Sequence, residues 1–156
     1  METVTLTPVA ASDLDALVAL RIEAMRESLE RIDRFDPVRA RERFASGFSP
    51  EHTRHIESDG ERVGFVVVKP DPDGLLLDHL YIRPEAQGRQ LGGAVLALVF
   101  AQADAAGLPL RVGALKDSAS NRFYVRHGFR LLDQGEFDNY YVRLPAGERR
   151  CDGSPA

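Results

Sequence analysis

The chain has 156 residues, of which 44% are hydrophobic and 28% are charged, a composition typical of a soluble globular protein with a substantial core. Its formal net charge of −4 argues against the strongly basic surface that general nucleic-acid binding needs. The sequence shows neither an apolar stretch of bilayer length nor a signal-peptide pattern in METVTLTPVAASD. The single cysteine, Cys151, cannot form an internal disulfide, which favours a reducing compartment. Together with the net charge and the lack of a membrane-spanning stretch, this leads us to expect a cytoplasmic protein without membrane or nucleic-acid partners.

The first half of the chain predicts one strand, two helices and a three-strand meander. Residues 1–9 alternate apolar and polar side chains, as a strand does. Ser12, followed by Asp15, has the spacing of a helix N-cap, and apolar residues recur at helical spacing beyond it. Asp36 followed by proline predicts the start of a second helix. Strands are then predicted over residues 53–58, 61–69 and 75–82.

The second half continues with a glycine-rich turn, a helix and alternating shorter elements. A buried helical face is predicted for Leu91, Ala94, Val95, Leu98 and Val99. The remaining predictions are a strand over 110–115, a helix over 119–126, and strands over 129–132 and 140–144.

The resulting order is β-α-α-β-β-β-α-β-α-β-β, which predicts an α/β (α+β) fold. We expect a mixed, mostly antiparallel central sheet with helices on both faces. A single domain is expected over residues 1–145, with a disordered tail over 146–156.

The segment EAQGRQLGGAVL, residues 85–96, has the features of an anion-binding turn at a helix N-terminus. The first N–H groups of a helix lack partners within it and carry partial positive charge. Gly88, Gly92 and Gly93 allow the backbone to approach an anion, and Arg89 adds a guanidinium group. The Walker and GxGxxG phosphate-binding patterns do not occur here. Taken alone, the glycines also fit a tight strand-to-helix connection.

Two motifs make the sequence resemble the GCN5-related N-acetyltransferase (GNAT) family. The family signature Gln/Arg-x-x-Gly-x-Gly/Ala reads QGRQLG over residues 87–92, directly after the strand segment LLLDHLYIRPEA. The segment SNRFYVRHGF, residues 120–129, is similar to the family's Asn…Tyr-x-x-x-Gly-Phe element. The order of elements matches over residues 2–144. Gln90 is a departure, because the family usually has glycine there; it costs about 1 kcal/mol if the position needs a positive φ and nothing if the residue is helical.

The resemblance implies that the chain binds acetyl-CoA as its acyl donor, with no metal. The strand backbone at Leu80, Tyr81 and Ile82 would pair with the pantetheine arm. Asn121 matches a position often bonded to the pantetheine or to the neighbouring loop. The residues implied to hold the pyrophosphate are Gln87, Gly88, Arg89, Gln90, Leu91, Gly92 and Gly93.

Three side chains are candidates for proton transfer. Tyr124 matches the family tyrosine that contacts the cofactor and commonly protonates the departing thiolate, and a core aromatic is the alternative interpretation. Asp78 and His79 lie within an apolar strand and are candidates to accept the proton of the attacking amine. Strand alternation points them to opposite faces. Asp78 could instead pair with an arginine of the first helices, and His79 could be a half-exposed structural residue.

The function implied is transfer of acetyl from acetyl-CoA to a primary amine by direct attack in a ternary complex. A small amine, an amino acid, an aminoglycoside-like compound or a peptide terminus would each serve as the acceptor. A non-catalytic acyl-CoA-binding or regulatory domain is the first alternative, and a nucleotide-binding domain that recognises only phosphates is the second. Apolar residues in the last strands leave a homodimer open.

Overall fold

The computed structural model describes residues 3–31 and 36–146, so all but the first residue of the predicted tail lies outside the described residues. The helices are α1 Leu14–Arg31, α2 Pro37–Ser46, α3 Leu91–Ala106 and α4 Ser120–Arg126. The strands are β1 Val4–Pro8, β2 Thr53–Ser58, β3 Glu61–Asp71, β4 Gly74–Ile82, β5 Leu110–Leu115, β6 Arg130–Gln134 and β7 Asp138–Arg143. None of the helices in this part of the chain combines the length and apolar character that a membrane span needs.

The seven strands form one sheet in the order β1-β2-β3-β4-β5-β7-β6. The pairs β1–β2, β2–β3, β5–β7 and β6–β7 are antiparallel, whereas β4 and β5 run parallel. This arrangement confirms the predicted mixed, mostly antiparallel α/β fold and its order of helices and strands. The parallel pair is joined by α3, as a crossover connection requires.

The start of the first helix differs from the prediction. A 3-10 turn over Ala11–Asp13 precedes α1, and the Asp13 carboxylate accepts a hydrogen bond of 2.9 Å from the Ala10 amide. The prediction of Ser12 as N-cap with Asp15 is therefore wrong. A carboxylate forms a stronger, charge-assisted hydrogen bond than a hydroxyl, which favours Asp13 as the acceptor.

The described residues group into two compact units. The first comprises the described residues of 1–67 and 79–95. Its core is formed by apolar side chains from α1, α2, β3 and the segment after β1, namely Val9, Leu17, Val18, Phe44, Phe65 and Val67. Asp36 caps α2 as predicted, because its side chain accepts from the Arg39 amide at 3.2 Å.

The second unit comprises the described residues of 68–78 and 96–156. Its buried ion pair joins Arg143 of β7 to Asp104 of α3 through two bonds of 3.0 Å. The Arg143 guanidinium also lies 4.0 Å from the centroid of the Phe100 ring. The expectation of one domain over residues 1–145 stays a prediction.

The buried face of α3 is rotated from the predicted one. Leu91, Val95 and Val99 are buried as expected, but Leu98 is 44% exposed and Leu96 is fully buried. Neighbouring helical residues differ by about 100° in direction, and the buried face is centred near Val99, so Leu98 falls just outside it. The prediction for Leu98 is therefore wrong.

Candidate functional site

The connection between β4 and α3 is a turn held to the end of its own strand. The Gln87 side chain donates from Nε2 to the Ile82 carbonyl oxygen at 2.9 Å. The first backbone hydrogen bond of α3 runs from the Ala94 amide to the Gln90 carbonyl at 3.3 Å. Helix geometry leaves the amides of the preceding residues without acceptors inside the helix. Gln87 thus fixes the turn, and α3 presents its N-terminal N–H groups there.

Two residues of this turn have positive φ, which shapes its backbone. Gly88 has φ 83° and Gln90 has φ 62°. A residue with positive φ next to a right-handed helical residue turns successive N–H groups to the same side, an arrangement that binds anions. Gln90 therefore adopts the conformation that a glycine would adopt, at a cost of about 1 kcal/mol or a little more. Its side chain is exposed.

The residues that we expected to pair with the pantetheine arm lie in β4, beyond the part of this strand that pairs with β5. Within the described residues, the parallel ladder joins Leu75–Leu77 to Leu110–Val112, whereas β4 continues to Ile82. The Tyr81 carbonyl lies directly against Gly64 of β3. Pairing of Leu80 to Ile82 with a ligand stays a prediction.

His79 and Tyr81 share one face of β4 and form a cluster with α1 and α2. The Tyr81 hydroxyl donates to the Met25 sulfur at 3.0 Å, and His79 Nδ1 lies 3.3 Å from the same hydroxyl. The His79 ring packs edge-on against Phe44, with centroids 5.1 Å apart. We call these residues, together with Arg21, the Tyr81 cluster. The shared face follows from strand alternation, because residues two apart point to the same side of a sheet.

Which of His79 Nδ1 and the Tyr81 hydroxyl donates depends on the His79 tautomer. In the tautomer that has its proton on Nδ1, Nε2 carries the lone pair and can accept a proton.

Asp78 forms an ion pair that the sequence analysis did not identify. Its carboxylate lies 3.2 Å from Nζ of Lys69 in β3, and both side chains are partly exposed. The alternative that we expected for Asp78, a pair with an arginine of the first helices, stays a prediction.

Tyr124 is buried, with 6% of its surface exposed, at the inner face of α4. Its ring makes edge-on contacts with Phe123 and Phe129, at centroid distances of 5.3 Å in both cases. The ring environment fits the core-aromatic interpretation, and the acid role of the hydroxyl stays a prediction.

Asn121 is the centre of a hydrogen-bond network in the second unit. Its Nδ2 donates to the carbonyl oxygens of Leu115 and Ser118 at 2.8 and 2.9 Å. Its Oδ1 accepts from the Tyr141 hydroxyl at 2.8 Å and from the Asn139 amide at 2.9 Å. These four bonds use the capacity of the amide. The geometry favours the loop-bonding interpretation of Asn121, and its contact with a cofactor stays a prediction.

Arg21 of α1 was missed by the sequence analysis. It lies between Leu17 and Met25 at four-residue spacing, on the same helical stripe as the buried Leu17. Its guanidinium carbon is 5.9 Å from the centroid of the Tyr81 ring. A charged residue inside an otherwise apolar stripe is the signal that could have identified it.

The fold and the turn after β4 define the class of protein. A family model described as an acetyltransferase (GNAT) domain matches residues 50–131, which is just over half of the chain. The chain belongs to the GNAT acetyltransferase family. We therefore assign the candidate site of this chain to acyl transfer as its class of reaction.

Solved structures share the whole fold. The PaiA N-acetyltransferase from Thermoplasma acidophilum, in complex with coenzyme A, has 16% identity and a TM-score of 0.74, with 91% of this chain and 99% of that chain covered. An acetyltransferase from Thermus thermophilus has 23% identity and a TM-score of 0.67, with coverage of 92% and 99%.

N-acetylglutamate synthase from Neisseria gonorrhoeae, complexed with coenzyme A and L-arginine, has 18% identity and a TM-score of 0.66. The match covers 94% of this chain but 34% of that one. At such identities the likeness establishes the fold alone. None of the curated proteins matches the sequence.

Proposed function

We propose that this chain transfers an acetyl group from acetyl-CoA to a primary amine by direct attack in a ternary complex. The observation that carries the proposal is the β4–α3 turn of a GNAT chain, in which Gly88 and Gln90 have positive φ just before the helix. This backbone turns N–H groups towards one point, where the donor's pyrophosphate would bind. Two structural neighbours were solved with coenzyme A, which supports the same donor class here.

The donor would be held by backbone more than by side chains. The amides from Gly88 to Gly93 would bind the pyrophosphate, and Arg89 would add a positive charge. The main chain of Leu80 to Ile82 would pair with the pantetheine arm, and Asn121 would keep the β5–α4 loop in place. Gln90 retains its amide and the required φ, so the turn stays competent despite the missing glycine.

His79 is the group that we propose as the base. The amine nitrogen attacks the acyl carbon, the carbon–sulfur bond breaks, and the proton released by nitrogen moves to His79 Nε2. The step needs the tautomer with the proton on Nδ1, in which Nδ1 donates to the Tyr81 hydroxyl 3.3 Å away. Asp78 is the second candidate, and its carboxylate forms an ion pair with Lys69.

Tyr124 is proposed as the acid that returns a proton to the thiolate. A phenol with an unperturbed pKa of about 10 remains protonated at neutral pH and can donate. The assignment rests on the family motif over residues 120–129 and on the retained hydroxyl.

Calorimetric titration with acetyl-CoA, with ATP as the control ligand, tests donor binding. We expect acetyl-CoA to bind with micromolar affinity and ATP not to bind. Gly92→Glu places charge and bulk at the N-terminus of α3 and should abolish binding. Ala97→Glu puts the same charge on an exposed position of the same helix and should leave binding intact. Unchanged binding in Gly92→Glu would refute the pyrophosphate site.

A binding domain without turnover is the second candidate function. The burial of Tyr124 among aromatic rings favours it, because a core aromatic needs no catalytic role. Release of free thiol from acetyl-CoA, measured across a panel of amines, separates the two functions. Amine-dependent release supports the enzyme, whereas tight binding without release supports the binding domain.

A further inference from the structure

Part of the Arg21 side chain is buried, which is unusual for a charged residue. In the described part of the chain, its Nε is buried and has no hydrogen-bond acceptor. Among the side chains that the structure describes, those of residues 3–26, 36 and 38–146, no carboxylate pairs with the Arg21 guanidinium. The guanidinium carbon lies 5.9 Å from the centroid of the Tyr81 ring. Arginine presents five donors in a planar fork that matches a carboxylate. A buried donor without an acceptor needs an explanation, and a ligand that supplies the acceptor is one such explanation.

The position of Arg21 relates it to the proposed base. Tyr81 lies next to both residues, since the centroid of its ring is 5.6 Å from that of His79 and 5.9 Å from the Arg21 guanidinium carbon. The Tyr81 cluster therefore contains a proton acceptor, His79, and a cation, Arg21, each of them next to the Tyr81 ring. These two groups are complementary to a small molecule that carries an amine and an anionic group.

We infer that the acceptor is an amino acid, whose carboxylate is bound by Arg21 while its amine faces His79. This inference rests on the proposed function and names its substrate class. Arg21 is a specificity residue, because it binds a part of the acceptor that does not react. The Tyr81 ring beside the guanidinium makes the surroundings less polar, which strengthens an ion pair formed there. An amine without a carboxylate lacks this contact and binds more weakly.

The test compares acceptors that differ in a single group. Acetyl transfer is measured for a panel of L-amino acids, for their carboxamides and for the corresponding decarboxylated amines. We expect kcat/KM to be at least about tenfold higher for acids than for their matched amides, which corresponds to one bound ion pair. Equal rates for acids, amides and amines would overturn the inference and leave the proposed acetyltransferase function standing.

Variants of Arg21 test whether the preference for acids over amides depends on this residue. Arg21→Gln and Arg21→Met should raise KM for acids about tenfold or more, with kcat and the KM of amides nearly unchanged. Arg21→Lys should restore part of the preference, because a charge remains without the planar fork. Arg41→Gln removes an exposed arginine of the same unit and serves as the control. An intact preference in Arg21→Gln would overturn the assignment.

A binding measurement covers the case in which turnover is not observed. Thermal unfolding is followed with each amino acid and its amide, in the wild type and in Arg21→Gln. Stabilisation by acids that is lost in Arg21→Gln supports the inference, and stabilisation by none of the acids overturns it. Failure of the proposed function is read separately, as the lack of acetyl-CoA binding by calorimetry.

Discussion

Gly64 of β3 lies directly against the carbonyl oxygen of Tyr81 in β4, with no room for a Cβ between them. The two strands are neighbours in the sheet, and the Arg83 amide donates to the Val63 carbonyl at 2.8 Å beside this contact. The close approach sets the position of the β4 backbone just before the turn. A glycine at residue 64 is therefore a requirement of the fold.

Gly64→Ala should destabilise the chain by about 3 kcal/mol, the upper end of the usual cost of overpacking, because backbone atoms must move. Urea unfolding measures the change. Gly113→Ala in β5 is the control, since its added Cβ would meet the Tyr140 ring at an ordinary distance of 3.4 Å. Similar stabilities of the two variants would contradict the close contact.

The backbone conformation of Gln90 predicts how substitutions at this position rank in stability. Its φ of 62° costs an L-residue about 1–2 kcal/mol, and glycine would remove that cost but lose about 0.5–1 kcal/mol to chain entropy. Gln90→Gly should thus be slightly more stable than wild type, by about 0.5 kcal/mol. Gln90→Val should be less stable by about 1 kcal/mol, because a β-branched residue disfavours positive φ. Thermal unfolding of all three proteins checks the ranking, and a Val variant as stable as the Gly variant would refute it.

The interactions of the Asp13 carboxylate predict that the protein loses stability in acid. The Ala10 amide, and then the His55 ring at 3.0 Å, hold the pKa of Asp13 below its ordinary value of 3.8. A carboxyl with a lowered pKa adds stability that is present above 3.8 and is lost as pH falls through the folded value. Asp13→Asn should therefore be less stable than wild type at pH 7, with the difference shrinking below about pH 4.

Urea unfolding from about pH 7 to about pH 3 measures this convergence. His55→Gln removes the second cause and keeps the Ala10 amide, so it should give the smaller part of the effect. Parallel curves for wild type and Asp13→Asn across this range would show that Asp13 makes no pH-dependent contribution.

Because Arg143 is buried, we expect that replacing it with lysine lowers the stability of the protein. Arg143→Lys loses the two-bond geometry with Asp104 and the contact with the Phe100 ring, and Arg143→Ala should cost about 3 kcal/mol or more. Arg111→Lys is the matched control, because its ion pair with Asp73 is exposed and should change stability by less than about 1 kcal/mol. Equal effects at both sites by chemical denaturation would contradict the role of burial.

Tyr124→Phe tests the proposed acid. It keeps the ring contacts with Phe123 and Phe129 and removes the hydroxyl, so the fold and acetyl-CoA affinity should be retained. Loss of general-acid catalysis should lower kcat by about 100-fold or more. Tyr140→Phe removes an exposed hydroxyl and is the control. A large loss of affinity with normal turnover would exclude the acid role.

Sequence periodicity was sufficient to predict most elements of this fold. Helical spacing after Asp36 and Leu91, and alternation over residues 75–82, predicted helices and strands that the structure contains. These signals are local, since a helix or strand repeats within a few residues. The start of α1 was missed because Asp13 and Ser12 are both good acceptors, and sequence does not say which one meets the Ala10 amide.

The candidate site was less predictable, because its contacts are distant in sequence. The Tyr81 hydroxyl meets Met25 across 56 residues, and Asn121 meets Tyr141 across 20. Such contacts depend on packing and strand register, which local patterns do not fix. The conformation of Gln90 was left open for a related reason, since a glutamine is compatible with either a helical or a left-handed residue.

The strand β4 uses its side chains and its main chain for different contacts. The side chains of His79 and Tyr81 meet Phe44 and Met25, whereas the Ile82 carbonyl is bonded to Gln87. A substitution replaces a side chain but leaves the main chain present. On the proposed function, a mutant library at His79 and Tyr81 would diversify the acceptors that are used while donor binding persists. The strand is thus a starting point for directed evolution of new acylation catalysts.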